Sequence, residues 1–290
     1  MMNFKTLFST KKRSVACWLV AILGTFFIVA AKNQPTSLQI VPAQHSQYKA
    51  VIFDLGGVLF TTSTGAKVST IAPTILKNPT LLYYMIGLNI KQELFNLLDK
   101  VPAKTTESMY NEGKKLPQIM VDWMTGRPSN QVRLEVLRQI RKSRHSDSVK
   151  NLFRSISRLM FDPATFANSQ TPIKPMVDLV KKLKKNGYKL YVLSNWDNES
   201  FTLLKKQHAE LFSQFEGIMI SGQENMGKPN PELYKRLLEK YNLDCSQCAF
   251  VDDETNNTQA AEKLGINSIV CQNTSSVCKD MINLGIMALK

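Results

Sequence analysis

The chain has 290 residues, 43% hydrophobic and 21% charged, which excludes a sequence too polar to bury a core and allows one or two domains. Its net charge of +14 is uneven: residues 1–50 carry six Lys/Arg and no acid, 61–170 carry 16 against 8, and 171–290 carry 15 against 14. A basic middle suits an anionic ligand or surface, or solvated basic helices. With no interleaved aromatics and no recognised motif, it does not indicate a nucleic-acid partner.

In chain order, Lys5, Lys11, Lys12 and Arg13 precede seventeen uncharged residues, 15–31, closed by Lys32. That length is the short edge of a membrane-spanning helix and just above the apolar region of a signal peptide. The basic flank places the N-terminus in the cytoplasm. The expectation is an N-terminal apolar helix within 1–32 that anchors the chain in a membrane, with the remainder outside the cytoplasm. Val29 and Ala31 are small enough for a cleavage site, and removal of the segment would leave a secreted or periplasmic protein. Residues 33–47, with Pro35 and Pro42, read as a linker.

Five runs rich in β-branched residues then stand out, at 48–55, 188–195, 217–221, 248–253 and 266–272. Between the later ones lie helical patterns with marked ends. Residues 176–186 stop at Gly187 and 258–264 at Gly265, the left-handed position past a helix C-terminus. Asn230 and Pro231 read as N-cap and first residue of another helix. Alternating strands and helices predict an α/β fold, a doubly wound parallel, Rossmann-like sheet. Residues 61–170 break the alternation. Their helical stretches, 81–99, 106–124, 130–142 and 149–160, are separated by Pro79, Pro102, Gly126-Arg127-Pro128 and Pro163. The reading is an α/β core of 48–60 and 171–290 with a helical cap of 61–170 inserted after the first strand.

Asp54, Ser194-Asn195 and Asp252-Asp253 all fall at the C-terminal ends of predicted strands, where ligands of such sheets bind. A carboxylate at the tip of the buried run AVIF costs several kcal/mol unless something compensates it. Four pieces share this address: FDLGG (53–57), LSN (193–195), GKPNPELY (227–234) and VDDETNN (251–257). On these motifs, in this order, the chain resembles the haloacid dehalogenase (HAD) superfamily over about 48–60 and 170–273.

The resemblance implies a Mg²⁺-dependent hydrolase, a phosphatase acting on a small phosphomonoester. Asp54 would be the nucleophile, forming an aspartyl-phosphate that water hydrolyses. Asp54, Asp253, Asp252 and the backbone carbonyl of Gly56 would hold Mg²⁺, with Asn257 supporting the metal shell. Lys228 would neutralise Asp54 and the phosphoryl oxygens. Ser194, Asn195 and Lys228 would bind the transferring group, and Trp196 either lines the pocket or packs. Gly56 departs from the family pattern, in which an Asp at this position acts as general acid and base. That leaves two alternatives. One is a dehalogenase-type attack on carbon, which needs no proton donor but leaves the Asp252-Asp253 pair without a cation. The other is a non-catalytic, membrane-tethered binding module.

Cys245, Cys248, Cys271 and Cys278 form an even set able to pair in an oxidising compartment. Cys245-Ser-Gln-Cys248 has no second CxxC and no paired histidines, so it does not point to zinc. His45, His145 and His208 are scattered.

Overall fold

The computed structural model describes residues 40–42, 46–81 and 90–289. The apolar segment 15–31 lies outside the described residues, and among these no helix is long and apolar enough to cross a membrane. The strands in chain order are β1 (Ile40–Pro42), β2 (Ala50–Phe53), β3 (Phe60–Thr62), β4 (Tyr110–Asn111), β5 (Lys114–Lys115), β6 (Gln170–Pro172), β7 (Lys189–Ser194), β8 (Gly217–Ile220), β9 (Cys248–Asp252), β10 (Asn267–Val270) and β11 (Met287–Leu289).

Five of them form one parallel sheet in the order β10-β9-β2-β7-β8. The order reverses on either side of β2: the chain moves outward through β7 and β8, then returns to place β9 and β10 on the other flank. In such sheets the reversal opens a crevice at the C-terminal strand ends. Asp54, one residue past β2, stands in that crevice between the ends of β7 and β9.

Alternation along the strands feeds two separate layers. Val51, Phe53, Leu190, Val192, Ala249 and Val251 join Leu179, Val180 and Leu183 of the helix Lys174–Lys185, and Val277 and Met281 of the helix Thr274–Asn283. Ala50, Ile52, Tyr191, Leu193 and Phe250 turn to the opposite face, against Leu233, Tyr234 and Leu237 of the helix Pro231–Lys240. Each of the Val, Leu, Ile, Phe and Met side chains among them, fully buried, contributes about 1.5–3 kcal/mol. The strands therefore read as continuous apolar runs, as a sheet covered on both faces requires.

The chain leaves this sheet along β3 and returns along β6, which pair antiparallel from Phe60↔Pro172 to Thr62↔Gln170. The residues between them have a hydrophobic cluster of their own, built on Ile71, Leu94, Trp123, Val136, Ile140, Leu152, Phe153 and Phe161. Its helices Ser129–Lys142 and Asp147–Phe161 sit where the apolar spacing puts them.

Three local expectations differ from the structure. The helix read over 106–124 exists only as Gln118–Met124. Before it stands the hairpin β4–β5, whose Glu112 (φ 53°) and Gly113 (φ 71°) make a two-residue turn of left-handed residues. A helix Thr64–Lys77 that the pattern did not indicate carries Pro73 inside it and is capped by the Ser63 side chain. In the supposed linker, Ile40–Pro42 pairs antiparallel with Met287–Leu289. Of the helix read over 81–99, Ile90–Leu98 is described.

Candidate active site

β2 ends on Phe53, and the backbone N–H of Asp54 still bonds to the Val251 carbonyl at 2.9 Å, so the carboxylate is carried on rigid sheet backbone. Gly57 turns the chain with φ 70°. A Cβ there would lie 2.0 Å from Asp253 Oδ2, so only glycine lets this turn pass beneath the Asp253 carboxylate.

Lys228 is fully buried, and its ammonium reaches two carboxylates: Asp252 Oδ2 at 2.6 Å and Asp54 Oδ1 at 2.9 Å. It also lies 5.4 Å from the centre of the Phe250 ring. Burial pulls the pKa of this ammonium down, but the charges of Asp252 and Asp54 outweigh it and leave it raised. Lys228 is thus a fixed positive charge at neutral pH. The loop that carries it is tied to β7 by Asn195: Nδ2 donates to the Lys228 carbonyl and Oδ1 accepts from its N–H, both at 2.8 Å. Gly227 sits at a close approach, where a Cβ would meet Met109 Cε at 2.0 Å and Asn195 Oδ1 at 2.7 Å.

The two adjacent acids after β9 have different surroundings. Asp252 is fully buried and accepts on both oxygens, from Glu254 N–H at 2.8 Å, from Asn257 Nδ2 at 3.0 and 3.1 Å, and from Lys228. Asp253 keeps part of its surface exposed. Burial nevertheless pushes its carboxyl up to about 8, with the charges of Asp54 and Asp252 adding to the effect. One oxygen from each of Asp54, Asp252 and Asp253 falls within a 4.8 Å cluster.

Two buried atoms here lack a hydrogen bond: Asp54 Oδ1, whose ion pair with Lys228 is not directed as one, and Ser194 Oγ. Unpaired buried oxygens are costly unless a ligand completes them. A hard, oxygen-seeking divalent cation fits this donor set.

All the residues read from the motifs therefore meet at one strand-end crevice, but not in equal positions. Asn195 turns its amide to the Lys228 backbone rather than into open space. The N–H of Trp196 donates to Ser221 Oγ at 2.9 Å, so it is not available to a transferring group. Trp196 is buried, its indole N–H donating to Ser200 Oγ at 2.9 Å.

Glu254 was not singled out by the sequence. It is buried, and its carboxylate accepts from the N–H groups of Glu112 and of Gly113 (3.1 Å for the latter), clasping the hairpin β4–β5 to the site. Nothing in VDDETNN distinguishes this acid from a solvated one except its place beside Asp253. The four cysteines of the described region are free thiols rather than disulfides, and burial pushes those of Cys248 and Cys271 up to about 12.

Comparison with known proteins identifies the family and the fold. The sesquiterpene phosphatase astK of Aspergillus oryzae is 29% identical over 124 residues, covering 42% of this chain and 63% of that protein. The bifunctional epoxide hydrolase 2 of Mus musculus is 30% identical over 130 residues, covering 44% of this chain and 23% of that protein. The chain thus spans less than two thirds of the length of these curated relatives. A HAD family enzyme of Bacteroides thetaiotaomicron, solved as a magnesium complex, shares the fold with a TM-score of 0.51 at 19% identity, over 78% of this chain and 93% of that one. The model of one family, described as haloacid dehalogenase-like hydrolase, matches residues 48–265, more than half of the sequence. The chain belongs to the haloacid dehalogenase-like hydrolase family.

Proposed function

We propose that this hydrolase is a Mg²⁺-dependent phosphatase that transfers the phosphoryl group of a small phosphomonoester to Asp54 and then to water. The observation that carries the reading is the buried Asp54 oxygen that lacks a hydrogen bond, 2.9 Å from a buried ammonium and within the three-carboxylate cluster. The similarity to a sesquiterpene phosphatase and to a fold solved with magnesium supports it.

Asp54, Asp253 and the Gly56 carbonyl would hold Mg²⁺, which would offset the negative charge of the phosphoryl oxygens and of the acids. Lys228 supplies a second, preorganised positive charge, and it needs no reorganisation because Asp252 and Asn195 already fix it. With its oxygens occupied, Asp252 serves chiefly to orient Lys228. Ser194 Oγ, buried and unpaired, is the hydroxyl left to meet a phosphoryl oxygen. An attack on carbon would not require the cation, and it would leave three clustered carboxylates with one lysine between them.

The test is hydrolysis of p-nitrophenyl phosphate by the purified protein with and without Mg²⁺. Turnover should require the metal and fall to background in Asp54→Asn. Activity that survives that substitution removes Asp54 as nucleophile. EDTA-resistant release of halide from a haloacid would favour the attack on carbon, and a folded, Mg²⁺-binding protein without turnover would favour a binding module.

A further inference from the structure

Among the described residues the crevice has a nucleophile and fixed positive charge, but its only unoccupied protic side chains are ones the proposed reaction engages: Asp253, which would give its proton up to Mg²⁺, and Ser194, whose Oγ would meet a phosphoryl oxygen. Gly56, two residues on from Asp54, is not held to glycine by its conformation, because its φ is not positive. Nor is it held by packing, since a Cβ there would sit 3.8 Å from Trp196 Cζ3, an ordinary contact. The position has room for a side chain and lacks one, which sets it apart from Gly57.

The other neighbouring protic groups among the described residues are occupied, Tyr234 by donating to the Asn257 carbonyl and Cys271 by donating to that of Gly57. Asp252 accepts from Lys228, Asn257 and Glu254, and Glu254 in turn accepts from the hairpin N–H groups. Glu107 accepts from Asn230 Nδ2 at 2.9 Å. Lys228 lies between two carboxylates. His145 packs on Phe153, and His208 packs on Phe60 beyond the end of the helix Asn198–Gln207, which starts near the crevice and runs away from it.

With Asp54 as the nucleophile, the reading on which this depends, we infer that the enzyme selects phosphate compounds whose leaving oxygen is stable as an anion. These are aryl, enol or acyl phosphates, taken in preference to alkyl phosphates. In the first step an Asp54 oxygen forms a bond to phosphorus as the bond to the leaving oxygen breaks. The bonding pair departs with that oxygen, which is protonated only later, by bulk water. In the second step water attacks phosphorus, the Asp54 carboxylate leaves, and phosphate and a proton are released. General acid help is worth about 10²–10⁴-fold, and that is the handicap an alkoxide leaving group meets here.

The test uses the full chain with Mg²⁺ and a series of 2,4-dinitrophenyl, 4-nitrophenyl, phenyl and ethyl phosphates. The readout is kcat/KM, which covers events only up to departure of the leaving group, so slow dephosphorylation of Asp54 does not mask it. The wild-type values should fall by at least about 10²-fold along the series. Gly56→Asp should narrow that spread by about 10²–10⁴-fold, and Gly56→Asn, equal in size but without a transferable proton, should not. Intact-mass measurement should find phosphorylated Asp54 after mixing with the dinitrophenyl ester and not after mixing with the ethyl ester. Melting temperature and calorimetric Mg²⁺ binding check that both variants keep the fold and the metal site. A level series in the wild type, or equal narrowing by Asn and Asp, overturns the inference while leaving a phosphatase. Failure to hydrolyse even the dinitrophenyl ester removes the phosphatase reading as well.

Discussion

The sheet and the inserted helical region solve different problems with different means. At the sheet's strand ends Lys228, Asp252, Asn257 and Asn195 hold one another through directed bonds on rigid backbone. The inserted region carries an excess of basic residues with few internal partners. Lys100, Lys142 and Arg144 line a cleft of about 520 Å³ with His145 and Glu93, and none of the three forms an ion pair among the described residues. Where the two regions meet, the links are few and specific. They include Glu254 on the hairpin, Asn230 on Glu107, and Ser221 Oγ donating to the Met124 carbonyl at 2.6 Å. The difference teaches that the clustered charges belong to the sheet, while the insertion touches them through a few specific contacts.

Substitutions in the two regions should therefore separate, and the strongest test lies in the sheet. Lys228→Met leaves Asp54 and Asp252 facing each other without their shared cation, and breaking such a buried pair costs about 3–5 kcal/mol. Chemical denaturation should show that loss, and Asp252→Asn added to the same chain should recover much of it. A loss below about 1 kcal/mol would mean that the pair is screened by water.

At the boundary, Glu254→Gln keeps the shape but removes the charge from two hydrogen bonds, each worth about 1.5–3 kcal/mol. Hydrogen exchange should speed up at the hairpin β4–β5 with the sheet unchanged, and KM should rise more than kcat falls. Equal effects on both parameters would place Glu254 in the chemistry instead.

A further effect is a pH dependence. Because the Asp253 carboxyl is pushed up to about 8, the folded protein holds a proton that the unfolded chain has already released. Folding stability from this residue therefore falls as pH rises from the ordinary carboxylate range towards 8. On the proposed function Mg²⁺ would take the place of that proton, and it should raise Tm by several degrees more at pH 8.5 than at pH 5.5. Asp253→Asn should abolish the difference, and a Tm rise independent of pH would show that Asp253 does not meet the metal.

Much of this arrangement was legible in the residues. AVIF and its fellow apolar runs are buried on both faces and so carry an unmistakable strand signal, and helix ends at Gly187 and Gly265 punctuate them. Asp54, Lys228, Asp252 and Asp253 could be brought together because parallel topology places every strand's C-terminal end at one edge. The hidden features depend on contacts between distant segments. Asn195 was read as a ligand group, and only the approach of the 227–230 loop shows its amide to be occupied. The hairpin β4–β5 turns on Glu112-Gly113, a weaker signal than Asn-Gly, and it is held by a carboxylate 142 residues away in sequence. The pairing of residues 40–42 with the C-terminal strand could not be seen from a Pro-containing polar stretch.

That last pairing has a geometrical consequence. Tyr188, which precedes β7, bonds through its hydroxyl to the Ile286 carbonyl at 2.8 Å, so the β1–β11 ribbon sits beneath the sheet, at the pole where its strands begin. Residues 40–42 and 287–289 thus stand at the opposite end of the strands from Asp54.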